Sequence, residues 1–104
     1  MKVNKVSTRQ EVLDYIESQK DHLRTAFHVR RIALIGSFAR DEQTSDSDID
    51  LLLDLEENTP DLYALKRNLK QALELQFGRS VDLASERYLK SYYREEILRE
   101  AIYV

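Results

Sequence analysis

The stretch that decides the fold reads Gly36-Ser37-Phe38-Ala39-Arg40, then seven polar residues, and then Asp48-Ile49-Asp50-Leu51-Leu52-Leu53. An apolar run at residues 32–35 leads directly into Gly36, and a second apolar run follows Asp48 with another acid inside it. Continuous apolar runs of this length, bounded by polar turn residues, are typical of buried strands. We therefore expect two neighbouring strands that present a site between them.

The two acids break the hydrophobic pattern where it is strongest. Side chains alternate between the faces of a strand, so Asp48 and Asp50 should project from one face with Cα atoms about 7 Å apart. Like charges placed this way repel each other. A divalent cation would reverse the sign of that interaction, and Mg²⁺ binds through a few carboxylate oxygens together with phosphates and water. The pair predicts a Mg²⁺ site.

The corner at Gly36 and Ser37 has the features that a phosphate requires. Glycine allows close approach of the backbone, serine offers a hydroxyl, and a helix that starts here directs free N–H groups at an anion. Next to metal-binding carboxylates, this arrangement indicates a nucleoside triphosphate. Taken singly, each piece is equally compatible with an ordinary turn or a solvated acidic edge.

The ordered combination is more specific. Gly36-Ser37-x-Ala39-Arg40 followed by Ser47-Asp48-x-Asp50-Leu51 closely resembles the signature of the DNA polymerase β-like nucleotidyltransferases, in particular the small minimal nucleotidyltransferase (MNT) group. The resemblance implies that Gly36 and Ser37 hold the triphosphate and that Asp48 and Asp50 bind two Mg²⁺ ions. It also implies a third carboxylate on a later strand, for which Asp82 is the candidate.

The signature does not assign a single role to three further residues of this region. Arg40 matches the arginine of the motif and either contacts phosphate or pairs with an acidic neighbour. Asp41 stands where many relatives have glycine, which bears on the conformation of the loop. Asp46 shares the alternation of the other acids but lies outside the family pattern, so we expect that it is not a metal ligand.

Composition bounds the remaining possibilities. The 104 residues, 42% of them hydrophobic and 34% charged, predict a single domain over residues 1–104 with one modest core. The chain has no cysteine and no apolar run near the roughly 20 residues that span a membrane, so we expect a cytoplasmic protein. A net charge of −3 weighs against direct nucleic-acid binding. Lys66, Arg67 and Lys70 could form a local basic patch, but we interpret them first as a solvated helix face.

The expected fold is of the α/β (α+β) class, a small mixed sheet of about three strands flanked by helices in the polymerase β-like nucleotidyltransferase arrangement. A first helix capped by Ser7 or Thr8 should run to Phe27, and a second should start at Thr59-Pro60-Asp61 and end at Gly78. Strands are predicted at residues 29–35, 49–53 and 80–83. From Ser85 onward the composition favours helix, with an apolar side formed by Ile97, Leu98, Ala101 and Ile102.

The acceptor of the nucleotide follows from resemblance alone. The stretch at residues 92–103 looks like the tail of MntA-type antitoxins, which transfer AMP from ATP to a tyrosine of a HEPN-domain RNase toxin. The implied partner is thus a cognate HEPN toxin. Two alternatives stay open: a non-catalytic antitoxin that covers its toxin, and a nucleotidyltransferase for a small molecule such as an antibiotic. The shortness of the chain counts against the last, because a small acceptor needs enclosing walls.

Overall fold

The computed structural model of the chain describes residues 5–104. Its elements, in chain order, are α1 (Arg9–Ser18), α2 (Lys20–Phe27), β1 (Val29–Ile35), α3 (Gly36–Ala39), β2 (Ile49–Leu55), α4 (Leu62–Phe77), β3 (Val81–Ser85), a 3₁₀ turn (Glu86–Tyr88), α5 (Ser91–Glu100) and β4 (Ile102–Tyr103).

The strands form one mixed sheet in the order β3-β2-β1-β4. β2 runs antiparallel to β1 and parallel to β3, and α4 makes the crossover that the parallel pair requires. The α/β fold class is confirmed, with four strands where about three were expected. The additional strand arises because the backbone at Ala101 is extended (φ −62°, ψ 132°), which ends α5 and lets Ile102 pair with Leu34 of β1.

Two apolar clusters cover the two faces of the sheet. The larger one packs α1, α2 and α4 against one face through residues such as Ile16, Leu51 and Phe77. The smaller one packs α5 and the segment before it against the other face, where Leu52 meets Ile97. The sheet is therefore a middle layer, and the face under α5 is the one that carries Asp50.

The N-terminal helical region departs from the expectation of one continuous helix. Thr8 caps α1 in a capping box with Glu11, in agreement with the sequence signal. At Gln19, however, the backbone leaves the helical region (φ −109°, ψ 8°) and a second helix begins. The break lets both Ile16 and Leu23 enter the larger cluster.

The helix α4 begins two residues later than the Thr-Pro signal indicated. Its N-cap is Asp61, in the left-handed region at φ 48°, whose carboxylate accepts the N–H of Ala64. Gly78 ends the helix at φ 67°, as predicted. The third strand is likewise shifted toward the C-terminus, from the expected residues 80–83 to Val81–Ser85. In residues 5–104, no helix combines the length and the apolar character needed to cross a membrane.

Candidate active site

A cleft of about 460 Å³ lies between the sheet and α5. Its lining includes Gly36, Asp50 and Asp82, which come from three separate segments of the chain, and also Glu100 at the end of α5. The remaining walls are apolar, from the strands and from Ile97. The cleft thus combines a small set of acids with an apolar floor, a combination that is common in ligand sites.

Strand pairing brings two of the acids together. Asp50 on β2 lies directly opposite Asp82 on β3 in the parallel register, so both side chains are on the α5 face. Burial raises the pKa of Asp50 to about 6, with further contributions from the charges of Asp82 and Asp48. The site therefore concentrates negative charge that the protein itself only partly compensates.

Gly36 stands immediately against Asp50. Its φ is +76°, in the left-handed region, and a Cβ added there would lie 2.2 Å from Asp50 Oδ2. Any side chain at this position would meet both backbone strain and a steric overlap. Glycine is therefore required here because β2 presents a carboxylate against the β1–α3 corner.

Arg40 and Gly36 share one acidic partner from the far end of the chain. The Gly36 N–H donates to Glu100 Oε1 at 3.1 Å, and Arg40 Nη1 donates to Glu100 Oε2 at 2.8 Å. Arg40 Nε donates in addition to Glu42 at 2.7 Å. In this conformation Arg40 pairs with acidic neighbours, and its contact with phosphate stays a prediction.

The other predicted residues lie at the margin of the cleft. Ser37 follows Gly36 in α3 and is half-buried, while Asp48 is exposed just before β2. Asp48 lines a neighbouring cavity that also contains Asp46, yet its charge acts on Asp50. Asp46 is exposed on the loop and does not line the cleft.

The loop that leads into Asp48 is held by a buried arginine. Arg79 Nη1 donates to the carbonyl oxygens of Thr44, Ser45 and Ser47 at 2.9–3.2 Å. Its guanidinium carbon also lies 5.0 Å from the centre of the Phe38 ring. Because Arg79 lies two residues before β3, its side chain connects the strand that carries Asp82 to the loop that leads into Asp48.

Asp41, which departs from the signature that the sequence resembles, lies in a backbone region that favours glycine. Asp41 has φ 60°, in the left-handed region where glycine is favoured and where Asp is one of the better-tolerated alternatives.

The acids fit a magnesium ion in type and in charge. Asp50 is half-buried, and its pKa is raised by this burial first and then by the negative charges of Asp82 and Asp48; a divalent cation would offset both effects. The oxygens of these acids are not already gathered: within residues 5–104, no group of three or more His, Cys, Asp or Glu side chains is arranged to hold an ion. The exposed Asp48 and Asp82 would have to rotate toward Asp50.

Two residues of this region were missed from the sequence. Glu100 lies three positions after Ile97, so it shares the apolar side of α5, and a carboxylate on that side was an available signal. Arg79 lies between Gly78 and β3, and no local sequence pattern predicts that its side chain is buried and binds the backbone of a distant loop.

The class of protein is defined by comparison with known sequences. The family described as nucleotidyltransferase domain matches residues 16–104, and the chain belongs to this family. Within the family, the chain is similar to the protein adenylyltransferase MntA of Thermococcus cleftensis, with 39% identity over 93% of this chain and 96% of the relative. The resemblance to minimal nucleotidyltransferases and to MntA is thereby confirmed.

Solved structures agree with this assignment. A structure assigned as a minimal nucleotidyltransferase has a TM-score of 0.79 at 35% identity, and the match covers 95% of this chain and 98% of that chain. A chain of a toxin–antitoxin structure solved with AMP-PNP has the same fold, with a TM-score of 0.66 at 20% identity over 84% of this chain and 70% of that one.

Proposed function

We propose that residues 1–104 act as a single domain that transfers AMP from ATP to a tyrosine hydroxyl of a cognate HEPN RNase toxin and so neutralises it. The observation that carries this proposal is the in-register pair of Asp50 and Asp82 beside the Gly36 corner, in a chain of the nucleotidyltransferase family. The similarity to a relative named as a protein adenylyltransferase supports AMP as the transferred group and a protein as the acceptor.

In this proposal Asp48, Asp50 and Asp82 hold two Mg²⁺ ions. When bound, the ions supply the charge that activates the attacking hydroxyl and neutralises the triphosphate and the departing pyrophosphate. Asp50 would be the principal ligand, because the charges of both other acids act on it and it is the most buried of the three. Asp48 and Asp82 are exposed, which leaves them free to adopt the ligand geometry.

The chain's own residues then position the nucleotide and take the proton. Gly36, Ser37 and Arg40 contact the phosphates of ATP. As the nucleotide enters, Glu100 gives up its hydrogen bonds with Gly36 and Arg40 and becomes solvated. The tyrosine oxygen forms a bond to the α-phosphorus, and the bond from that phosphorus to the β-bridging oxygen breaks, which releases pyrophosphate. Asp82, exposed on the edge strand, accepts the phenolic proton.

Two features of the setting belong to the same proposal. A net charge of −3 favours a protein acceptor over a nucleic acid, whose backbone requires a basic face. The proposed location is the cytoplasm, where the ATP that this reaction consumes is available.

The test is the intact mass of a HEPN-family RNase toxin encoded with this chain, after incubation with the purified protein, ATP and Mg²⁺. We expect mass increments of AMP that disappear when Asp48→Asn and Asp50→Asn are combined, while the circular dichroism spectrum stays unchanged. Asp46→Asn is the matched control, because this acid lies in the same loop but outside the cleft, and it should keep full transfer.

Two results would count against the proposal. Tight binding of the toxin without any mass increment would show an antitoxin that acts by covering its partner. Loss of activity in the double variant through loss of folding would leave the acids without a catalytic assignment, and single variants at Asp48, which is exposed, would then decide.

A further inference from the structure

A stripe of cationic and aromatic side chains runs along α4 beside the cleft. Tyr63, Lys66, Arg67 and Lys70 are spaced i, i+3, i+4 and i+7, so they share one face of the helix. Together with Asp82 and Leu83 of β3 they line a groove of about 410 Å³, here called the α4 groove. The groove lies along the edge strand of the sheet, since β3 is the last strand in the order.

The positive charge of the α4 groove is not neutralised by the fold. None of its three cations forms an ion pair with a carboxylate in the part of the chain from residue 5 to residue 104. Lys66 donates to the Ser85 hydroxyl at 3.3 Å, and the Arg67 guanidinium lies 5.7 Å from the centre of the Tyr63 ring. On a chain with a net charge of −3, this groove is a local site of attraction for anionic groups.

Two consecutive residues of β3, Asp82 and Leu83, line both the α4 groove and the cleft. Asp82 stands opposite Asp50 in the sheet. A polypeptide segment that lies in the groove would therefore bring one of its side chains to the acids that we propose as metal ligands. The aromatic ring of Tyr63, with 78% of its surface exposed, offers such a segment an apolar contact.

We propose that the α4 groove binds an acidic segment of the acceptor protein, next to the residue whose hydroxyl receives AMP. This inference rests on the proposed function and adds to it the surface that selects the acceptor. Carboxylates of the segment pair with Lys66, Arg67 and Lys70, while the hydroxyl-bearing residue extends past Asp82 into the cleft. An RNA strand is disfavoured here, because it carries a phosphate at every nucleotide and Asp82 would repel the one nearest the cleft. A peptide can place its uncharged hydroxyl-bearing residue at that point.

The test measures binding to a fluorescein-labelled random copolymer of glutamate and tyrosine by fluorescence anisotropy, without ATP. Arg67→Ala and Lys70→Ala together should weaken binding about tenfold or more, since both side chains are exposed and their loss removes two of three cations. The matched control is Lys20→Ala with Arg24→Ala, which removes the same two charges from an exposed face of α2. The control variant should bind the copolymer as tightly as the unchanged protein does. Salt at 0.5 M should weaken copolymer binding by the control variant and by the unchanged protein.

The outcomes separate this inference from the proposed function. The Asp48→Asn, Asp50→Asn protein transfers no AMP under the proposed function, yet it should bind the copolymer fully, because binding needs only the groove. Equal weakening by the groove and control variants would overturn the inference, since the attraction would then be non-specific. It would also be overturned if the groove variant lost affinity for labelled single-stranded RNA or for AMP-PNP while it still bound the copolymer.

Discussion

Replacing Asp50 with asparagine should stabilise the metal-free protein at pH 8. Burial, followed by the charges of Asp82 and Asp48, raises the pKa of this carboxyl from the ordinary 3.8 to about 6. Between these values the folded state retains a proton that the unfolded state has released, so stability falls as the pH rises through this window and stays lower above it. Asparagine keeps the shape and removes the charge.

The size of the effect follows from the same pKa. A rise of about 2 in pKa corresponds to about 3 kcal/mol of unfolding free energy. Because Asp50 is only half-buried, solvent screening reduces this to about 1 to 2 kcal/mol. At a urea dependence of about 1 to 2 kcal/mol per molar, the unfolding midpoint should rise by about 1 M.

The assay is urea unfolding followed by circular dichroism at pH 8 and at pH 4, with EDTA present. The difference between the two proteins should be clear at pH 8 and close to zero at pH 4. Asp54→Asn is the matched control on the same strand, because Asp54 accepts hydrogen bonds from Arg30 and Arg31 at 3.0–3.2 Å, and its loss should lower the midpoint. If Asp50→Asn leaves the midpoint at pH 8 unchanged or lowers it, burial and the neighbouring charges do not penalise the Asp50 carboxylate as described.

Three other substitutions test separate parts of the site. Gly36→Ala should lower the unfolding free energy, measured by urea unfolding, by about 2 to 4 kcal/mol, because the new Cβ would overlap Asp50 and the backbone has a positive φ. A loss under about 0.5 kcal/mol would mean that the backbone around Gly36 shifts to make room for the Cβ. Arg79→Lys should cost about 2 kcal/mol in the same assay, since a single ammonium cannot bind the loop carbonyls and also replace the Nε–H bond to the Val6 carbonyl and the planar contact with Phe38; a neutral result would contradict an anchoring role. Glu100→Gln should tighten the binding of metal-free AMP-PNP in calorimetry, because it removes a negative charge and frees Arg40; weaker binding would show that the Glu100 charge is needed to hold the corner.

Much of the fold could be predicted because its signals are local. The runs at residues 32–35 and 51–53 are continuously apolar, as buried segments are, and they lie in β1 and β2. Thr8 with Glu11, and Gly78, are complete capping signals within one turn of a helix, and both act as predicted. The signature from Gly36 to Leu51 also led correctly to the family.

The errors concern choices between two competent local conformations. Thr59 and Asp61 are both good N-caps, and the structure uses the second, at the cost of a left-handed backbone. The apolar spacing around Gln19 suits one helix or two, and packing against the sheet favours two. Ile102 suits a helix by composition, but the free edge of β1 offers backbone hydrogen bonds that a final helical turn could not match.

The sequence by itself predicted β1 and β2, the cap of α1, the end of α4 and the family, and it named Asp50 and Asp82, which the structure places in the cleft. Only the tertiary structure decided which distant residues meet. It pairs Asp50 with Asp82 across the sheet, it brings Glu100 to the N–H of Gly36, and it brings Arg79 to the carbonyl groups of a loop more than thirty residues away. The physical reason is range. Hydrophobic patterns and helix caps depend on residues within a few positions of one another. Strand register and contacts of buried charged groups depend on partners that come together only when the sheet forms.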